Sequence, residues 1–255
     1  MSRWTAFLLA GSRPKGDPLA QSMMLGHKAL IPVAGEPMVL RPLRALLASP
    51  EVGNIIVLTQ NPEDLRSVLP GDERVSIRRS GGTIAQTVAE QLADRAAEFP
   101  VLVVTADHAL LDPAMVAEFT RRADGADLAI AVVESKPLLA RFPQTKRTWI
   151  GFKGGRYSGA NLFAFGSDKV LPAVGRWGEV EQDRKKGWRL LAALGPALLL
   201  GAVLKLRTIH ESAAVIGRKL GIAIRIVEMS NPIAAIDVDK PLDHALVEDI
   251  IAGRA

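Results

Sequence analysis

The first half of the chain alternates short apolar runs with segments of helical spacing, and this alternation restricts the folds that the chain can adopt. The runs Trp4–Ala10 and Val101–Thr105 are apolar on both faces of an extended segment, which is typical of strands buried from both sides. Between them, the segment Pro37–Ala48 places its leucines at helical spacing. Strands that alternate with helices join through right-handed crossovers. The pattern therefore predicts an α/β protein whose mostly parallel sheet is covered by helices on both faces.

The remaining elements follow the same reasoning and complete one predicted domain. Further strands are predicted over Asn54–Thr59, Val75–Arg78, Leu128–Val133, Trp149–Phe152, Asn161–Phe165 and Ile222–Val227, with a short strand end over Ala235–Asp239. Further helices are predicted over Thr83–Ala96, from Asp112-Pro113 onward, over Trp188–Leu206 and over Pro241–Ile251. Because no repeat and no low-complexity linker interrupts the chain, we predict a single domain over 1–255 with a variable subregion at about 135–210.

The composition excludes several classes of protein. The chain has no cysteine, which rules out disulfide scaffolds, thiolate zinc sites and cysteine nucleophiles. The net charge of +5 suits polyanionic small molecules, an anionic membrane surface or nucleic acid. A single tyrosine and the lack of interleaved aromatic and basic residues make nucleic acid the least favoured partner. The N-terminus has no signal-peptide pattern, and we expect a cytoplasmic protein.

The longest apolar run, Leu190–Leu204, has two interpretations. It is too short to span a bilayer and is broken by Gly195-Pro196. Basic residues flank it at 184–186 and at Arg189. One interpretation is a core helix with a solvated basic side. The other is a peripheral membrane contact through 184–207, which would dock on anionic lipid or on a lipid-precursor acceptor.

Glycines, cations and a carboxylate follow the predicted strands at their carboxyl ends, where ligands bind on parallel sheets. Gly11 follows the first strand, with Arg13 and Lys28 downstream, Gly81-Gly82 follows the third strand, and Asp107 follows the fourth. Backbone N–H groups at a glycine-containing loop, together with nearby cations, hold phosphates. These strand ends therefore predict a nucleotide pocket, in which Lys15 is a further candidate cation.

Carboxylates near these strand ends are candidates for a magnesium site. Mg²⁺ prefers oxygen ligands and keeps several waters, so one or two carboxylates suffice. Asp107 is the first candidate, and Asp237 or Asp239 is the second. The Asp-x-Asp spacing places both side chains on one face of an extended segment and does not choose between them. Helix capping is the alternative role for each of these residues.

The four histidines show no metal-ligand spacing and are interpreted as structural or surface residues. They are His27, His108, His210 and His244.

Five segments of the chain, in order, resemble a known enzyme family. They are Leu9-Ala10-Gly11 with Arg13, the run Lys28–Met38, Gly81-Gly82-Thr83, Val103–Asp107 and the tail Ile236–Asp243. Together they resemble the nucleotidyltransferases that include sugar-phosphate nucleotidylyltransferases, the methylerythritol-phosphate cytidylyltransferase and the molybdenum-cofactor guanylyltransferase. The resemblance implies a three-layer α/β/α, Rossmann-like fold of the nucleotide-diphospho-sugar transferase type (GT-A-like).

The resemblance also implies a reaction and a set of roles. A nucleoside monophosphate would pass from an NTP, with CTP or GTP favoured, to a small phosphorylated acceptor, with release of pyrophosphate. Arg13 and Lys28 would neutralise the phosphates, and Mg²⁺, with Mn²⁺ as an alternative, would bind Asp107 together with Asp237 or Asp239. Nucleotide and acceptor contacts would come from Ala10, Gly11, Ser12, Gly82, Thr83 and Asn161, with Thr87 as a weaker candidate. The subregion at 135–210 would then face the acceptor.

Some positions depart from the family pattern. The stretch that leads to Lys28 is long and contains Asp17-Pro18-Leu19-Ala20, which predicts either a lid over the nucleotide or weaker triphosphate binding. Lys240 stands where a small hydroxyl residue is usual. The alternatives to a nucleotidyltransferase are a metal-dependent glycosyltransferase that uses a nucleotide sugar and a non-catalytic nucleotide-binding protein. A homo-oligomer is left open.

Overall fold

The computed structural model describes residues 3–11, 16–94, 98–175 and 206–255. The strands are β1 (Trp4–Leu9), β2 (Pro32–Val33), β3 (Glu36–Pro37), β4 (Val52–Thr59), β5 (Val75–Arg79), β6 (Val101–Thr105), β7 (Leu128–Glu134), β8 (Ile150–Phe152), β9 (Gly155–Phe165) and β10 (Ile224–Glu228). The helices are α1 (Pro18–Ser22), α2 (Leu40–Leu47), α3 (Pro62–Arg66), α4 (Ile84–Ala93), α5 (Pro113–Ala123), α6 (Ser135–Arg141), α7 (Ile209–Leu220) and α8 (Pro241–Ile251). Short 3₁₀ turns cover Lys28–Leu30, Asp168–Val170 and Pro232–Ala235.

One mixed sheet organises the described residues. Its strands run in the order β10-β7-β9-β6-β1-β4-β5, and β8 pairs with β9 outside this path. The pairs β1–β4, β1–β6, β4–β5 and β7–β10 are parallel, whereas β9 is antiparallel to both β6 and β7. The predicted α/β class with a mostly parallel sheet is therefore confirmed.

Helices cover the sheet on both faces, which gives the three layers that the sequence predicts. Along β1, Ala6 and Leu8 belong to one core, whereas Phe7 and Leu9 belong to the other. Every residue of β1 is buried, because alternate side chains point to opposite faces and both faces are covered. The first core contains residues of α2 and α5, and the second contains residues of α4. β1 consequently lies in the interior of the sheet, between β6 and β4.

The predicted strand end over Ala235–Asp239 is wrong. Asn231 caps a 3₁₀ turn by accepting the amide of Ile233 at 3.2 Å, and the chain continues to Asp239 without forming a strand. The amide of Val238 donates to the Asp107 carbonyl at 3.0 Å. This bond attaches the segment to the end of β6 without extending the sheet, because no ladder of such bonds follows it in the described chain.

The strand predicted from Asn161 is the second half of a longer one. β8 and β9 form a hairpin through a turn at Gly154, whose φ of +92° suits glycine. β9 pairs with β7 on both sides of Asn161, and the register shifts between Ile130 and Val132. Asn161 itself has a φ of +53°, so the strand is irregular where the family resemblance places a ligand contact.

No helix in the described part of the chain is long and apolar enough to cross a membrane. The apolar run at 190–204 and the proposed membrane contact through 184–207 fall almost wholly outside the described residues.

Candidate active site

Lys28 joins two carboxylates that come from distant parts of the chain. Its Nζ donates to Oδ2 of Asp107 at 2.7 Å and to Oδ1 of Asp239 at 2.5 Å. The structure therefore brings together three of the residues that the sequence singled out. They meet beside the carboxyl ends of β1 and β6, which are adjacent parallel strands.

Local structure fixes where Lys28 sits. It opens the 3₁₀ turn Lys28–Leu30, and His27 caps that turn because its Nδ1 accepts the amide of Ala29 at 3.1 Å. The other ring nitrogen of His27 lies 3.1 Å from Oγ1 of Thr59, at the end of β4. A buried imidazole thus attaches the turn to the sheet, which agrees with a structural role for His27.

The ammonium of Lys28 is held in its charged form. Its side chain is only 12% exposed, and burial alone lowers the pKa of a lysine. The charges and hydrogen bonds of Asp107 and Asp239 outweigh that effect, so the pKa of Lys28 is raised. Lys28 therefore carries a positive charge at neutral pH.

Asp107 does not cap the helix that follows it. Its Oδ1 accepts the hydroxyl of Thr105 at 2.6 Å, and its Oδ2 accepts Lys28. The next helix, α5, is capped instead by Asp112, whose Oδ1 accepts the amide of Met115 at 2.7 Å. The Asp107 carboxylate thus belongs to an ionic cluster with Lys28 and Asp239 and does not take the capping role, while metal binding stays a prediction.

The two residues of the Asp-x-Asp pair have different partners. Asp239 contacts Lys28, whereas Asp237 forms an ion pair with Arg147 and accepts the side-chain amide of Asn161 at 2.9 Å. The structure therefore separates two residues that their spacing could not distinguish. Asp239 shares its cation with Asp107, and Asp237 does not.

Arg147 is a site residue that the sequence reasoning missed. Its side chain is 11% exposed, and its Nε is buried without a hydrogen-bond partner in the described chain. Burial lowers the pKa of Arg147, but Asp237 outweighs burial and the net pKa is raised. A lone arginine before β8 carries no periodic signal, so only the folded chain reveals that it meets Asp237.

His108, the residue after Asp107, is buried. It is 1% exposed, and neither ring nitrogen has a hydrogen-bond partner among the described residues. Burial lowers its pKa to about 4, a change that Asp237 opposes and Arg147 favours. A neutral buried ring agrees with the structural role expected from the sequence.

The other two histidines hold surface contacts. His210 meets Glu228, and His244 lies 2.7 Å from the carbonyl of Pro32.

The predicted phosphate loop is only partly described. The amide of Ala10 already donates to the Leu58 carbonyl at 2.8 Å, so this N–H is engaged within the sheet. Gly11 is exposed directly after β1, and a Cβ there would come within 3.0 Å of the Gln60 side chain. Ser12, Arg13 and Lys15 lie outside the described residues.

Gly82 and Thr83 lie further along the same sheet edge, after β5. Thr83 caps α4 by accepting the amide of Gln86 at 3.3 Å, and Gln86 accepts the Thr83 amide at 3.0 Å. Gly82 has a φ of +86°, which favours glycine. Thr87 donates to the Gly81 carbonyl at 3.4 Å. These contacts support helix capping, while a contact with the base stays a prediction.

The stretch before Lys28 is packed into the protein from Asp17 onward. Asp17 caps α1 by accepting the amides of Leu19 and Ala20 at 3.0 and 3.3 Å. Leu19 and Ala20 are both buried in the first core. This part of the loop is anchored, contrary to the lid interpretation of these residues.

The two carboxylates fit a magnesium ion. In the described ranges, no group of three or more His, Cys, Asp or Glu side chains is placed to hold a metal. Asp107 and Asp239 nevertheless converge on one point, because oxygens of both lie within 2.7 Å of the same ammonium nitrogen. Mg²⁺ needs only one or two protein carboxylates, so this pair satisfies its preference.

A family comparison agrees with this arrangement. The sequence profile of the MobA-like NTP transferase domain matches residues 7–198. The chain belongs to the MobA-like NTP transferase family. The match includes Lys28, Asp107, Arg147 and Asn161, whereas Asp239 lies beyond it. The second carboxylate of this MobA-like transferase therefore comes from the part of the chain that follows the matched domain.

Solved structures share the fold. A hypothetical transferase from Thermus thermophilus is 28% identical with a TM-score of 0.79, over 95% of this chain and 99% of that one. A CMP:2-keto-3-deoxy-manno-octonic acid synthetase complexed with CTP is 14% identical with a TM-score of 0.60, over 99% of each chain. A 2-C-methyl-D-erythritol 4-phosphate cytidylyltransferase, also from Thermus thermophilus, is 16% identical with a TM-score of 0.54, over 99% of this chain and 100% of that one. The last two show the fold alone. No curated protein sequence matches significantly.

Proposed function

We propose that this protein transfers a nucleoside monophosphate from an NTP, with CTP or GTP favoured, to a small phosphorylated acceptor and releases pyrophosphate. The observation that supports this most directly is the meeting of Lys28 with Asp107 and Asp239 at the carboxyl ends of β1 and β6. Transfer of a nucleotidyl group from a triphosphate requires a cation and carboxylates that hold a metal ion, and this site brings a charged lysine and two convergent carboxylates together. Membership of the NTP transferase family gives the reaction class.

In the proposed reaction, an oxygen of the acceptor phosphate attacks the α-phosphorus of the NTP. A new P–O bond forms as the bond between the α-phosphorus and the bridging oxygen to the β-phosphate breaks, and that oxygen leaves with pyrophosphate. The acceptor phosphate is already an anion, so no strong base is needed. Alignment and neutralisation of charge then supply most of the rate.

Each residue of the site has a part in this proposal. Asp107 and Asp239 would hold Mg²⁺, which when bound neutralises phosphate charge. Lys28 would place its charge against the α-phosphate and the departing pyrophosphate. Arg13 would assist from the loop after β1, where Gly11 lets the backbone approach the phosphates.

The choice of CTP or GTP rests on relatives. The solved structures of the same fold that name a nucleotide include a synthetase complexed with CTP and a cytidylyltransferase. The family itself is defined by its MobA-like domain, and the molybdenum-cofactor enzyme that the sequence resembles uses a guanylyl group.

A matrix of substrates tests the proposal. The four NTPs are each incubated with phosphorylated alcohols and sugars in the presence of Mg²⁺, and pyrophosphate release is measured. We expect acceptor-dependent release with CTP or GTP. Release of a nucleoside diphosphate from a nucleotide sugar would instead identify a glycosyltransferase. NTP binding without turnover for every acceptor would identify a nucleotide-binding protein.

Matched carboxylate variants locate the chemistry. Asp107→Asn and Asp239→Asn each remove one charge from the cluster, and we expect each to lower the rate of pyrophosphate release by about 100-fold or more. Asp249→Asn is the control, because Asp249 pairs with Arg254 at the surface. Equal rates for Asp239→Asn and the control would show that Asp239 takes no part.

A further inference from the structure

A groove lies beside the ionic cluster, between the loop after α6 and the first turns of α8. Its volume is about 290 Å³, comparable to the smaller pockets that bind small molecules in proteins. Among the residues that line it are Arg141, Phe142, Lys146, Lys240, Leu242 and Leu246. None of the residue roles proposed above uses this groove.

Part of the groove lining is apolar. Phe142 is 5% exposed and belongs to the first core, so it forms a fixed wall. Leu242 is 73% exposed in the first turn of α8, and Leu246 follows one helical turn later on the same face. A single exposed leucine is ordinary on a protein surface. Here it adjoins two further apolar side chains around one concave space.

Another part of the groove lining is basic. Arg141, Lys146 and Lys240 line the groove together with one carboxylate, that of Asp243. The guanidinium of Arg141 lies 4.9 Å from the centre of the Phe142 ring, a cation–π distance that fixes a positive charge at the edge of the apolar wall. The groove therefore combines positive charge with an apolar surface.

Its neighbours connect the groove to the reaction centre. Of the residues that line it, Lys240 follows directly after Asp239 along the chain, and Asp243 lies three residues further on. On the opposite wall, Lys146 precedes Arg147, which is paired with Asp237. The groove is therefore lined by residues next in the chain to Asp239 and Arg147.

We propose that this groove binds the acceptor of the transfer reaction and that the acceptor is a phosphate monoester with a hydrocarbon body. The proposal rests on the proposed nucleotidyl transfer. The cations of the groove match the phosphate, and the apolar wall matches the hydrocarbon. Against Phe142, Leu242 and Leu246 the hydroxyl groups of a sugar phosphate would find no hydrogen-bond partner, which is unfavourable, whereas Gln144 and Thr145 line another part of the groove.

A series of alkyl phosphates tests the proposal with the full chain, Mg²⁺ and the NTP that gives the highest rate. The acceptors are ethyl, butyl and hexyl phosphate, kept below the concentration at which they form micelles, with glucose 1-phosphate for comparison. Each buried methylene strengthens binding about fourfold. We therefore expect the acceptor KM to fall by about an order of magnitude with each two-carbon step, while the KM for the NTP stays constant.

The outcomes separate this proposal from the proposed function. The groove proposal is overturned if the KM is the same for all three alkyl phosphates or if the KM for glucose 1-phosphate is lower. In either case, the release of pyrophosphate still supports nucleotidyl transfer. If no acceptor releases pyrophosphate, the transfer proposal fails. Calorimetric titration of hexyl phosphate then decides the binding part of the groove proposal, because an affinity no better than that of inorganic phosphate overturns it.

Two surface variants locate the binding site. Leu242→Ser is expected to raise the KM for hexyl phosphate by about 10-fold and to change that for ethyl phosphate less than about twofold. Lys146→Gln is expected to raise the KM for all three alkyl phosphates alike. Ile150→Ser is the control for an exposed apolar residue, since Ile150 is 59% exposed and does not line the groove. An equal effect of Leu242→Ser and Ile150→Ser would contradict the assignment.

Discussion

At the scale of the residue, Lys28 is the counter-ion that makes the carboxylate pair compatible with a folded chain. Asp107 and Asp239 each direct an oxygen at the same nitrogen. Two carboxylates this close to one point repel each other unless a positive charge lies between them. The lysine supplies that charge in the absence of any ligand, so the site is stable before substrates arrive.

Replacing Lys28 with methionine tests this role. Methionine keeps an unbranched side chain but removes the charge, and we expect Lys28→Met to lower the free energy of unfolding by about 2 kcal/mol. The expected cost is below that of a fully buried unpaired ion, because Asp239 is 41% exposed and water screens its charge. Urea unfolding with and without MgCl₂ provides the measurement.

Mg²⁺ should stabilise this variant more than the wild-type protein, because the two carboxylates then bind it without competition from the ammonium. Equal stabilisation of both proteins by Mg²⁺ would contradict a metal site at Asp107 and Asp239. This measurement does not depend on catalytic activity.

His108 makes stability sensitive to acid. Its pKa is about 4 in the folded chain and about 6.5 when unfolded. Between these values the unfolded chain binds more protons, so the free energy of unfolding falls as the pH falls. From pH 7 to pH 5 the loss due to this residue is about 2 kcal/mol.

We expect His108→Leu to remove most of that loss, because leucine fills a site where the ring has no hydrogen-bond partner in the described chain. Urea unfolding of both proteins at pH 7 and pH 5 measures the difference. His210→Gln, which removes a surface imidazole, is the control. An unchanged pH dependence in His108→Leu would show that His108 does not cause it.

Some of these residues could be predicted from the sequence and others could not. Asp107 stands out because it follows a buried strand, where ligands bind, and Lys28 stands out because it leads the run Lys28–Met38 that resembles the family pattern. Asp237 and Asp239 lie two positions apart, and an extended chain gives both the same direction until tertiary contacts separate them. Arg147 has no pattern around it, so its meeting with Asp237 is a property of the fold.

At the scale of the element, α7 contains a glycine that its neighbours require. A Cβ on Gly217 would lie 2.6 Å from the Ile222 carbonyl oxygen and 3.3 Å from the Ile224 amide. The backbone just before and at the start of β10 therefore approaches the helix closely at this point. The absence of a side chain at Gly217 therefore allows α7 to pack closely against the backbone that leads into β10.

Two opposite substitutions in α7 should both destabilise the protein. Ala214→Gly, at an exposed position of α7, is expected to lower the free energy of unfolding by about 1 kcal/mol through helix propensity alone. By helix propensity alone, Gly217→Ala should raise the free energy of unfolding. We expect it instead to lower the free energy of unfolding by about 1–3 kcal/mol, because the added methyl group would meet the backbone. Chemical denaturation measures both, and a stabilised Gly217→Ala variant would disprove the close packing.

The elements differ in how well local pattern predicts them. α5 could be predicted because Asp112 and Pro113 signal its start locally. β9 is longer than predicted, since Asn161 interrupts its regular alternation and its pairing is with β6 and β7, which are distant in sequence. The segment 236–239 resembles a strand by composition, but no neighbouring strand of the described chain pairs with it.

At the scale of the whole molecule, two cores lie on opposite faces of one sheet. Leu46 is fully buried in the first core and Val88 in the second. Each strand at the centre of the sheet contributes alternate side chains to both. Because neither core can form without the sheet, the described parts of the chain are expected to unfold as one unit.

Cavity-forming variants in the two cores test this cooperativity. Leu46→Ala and Val88→Ala are each expected to lower the free energy of unfolding by about 2–4 kcal/mol. Both should shift the same urea transition without changing its slope. Separate transitions for tryptophan fluorescence and circular dichroism, or a variant that affects only one of them, would contradict the single domain predicted over 1–255.

The last helix has a consequence for how the protein is made. The amide of Ala34 donates to Glu248, and the ring of His244 contacts the Pro32 carbonyl, so α8 fastens the hairpin β2–β3 that follows Lys28. A chain emerging from the ribosome that has reached residue 230 contains the whole described sheet but lacks Asp239 and this fastening. On the proposed role of Asp239, a copy of the chain that stops short of this last stretch would lack one of the two carboxylates that nucleotidyl transfer requires.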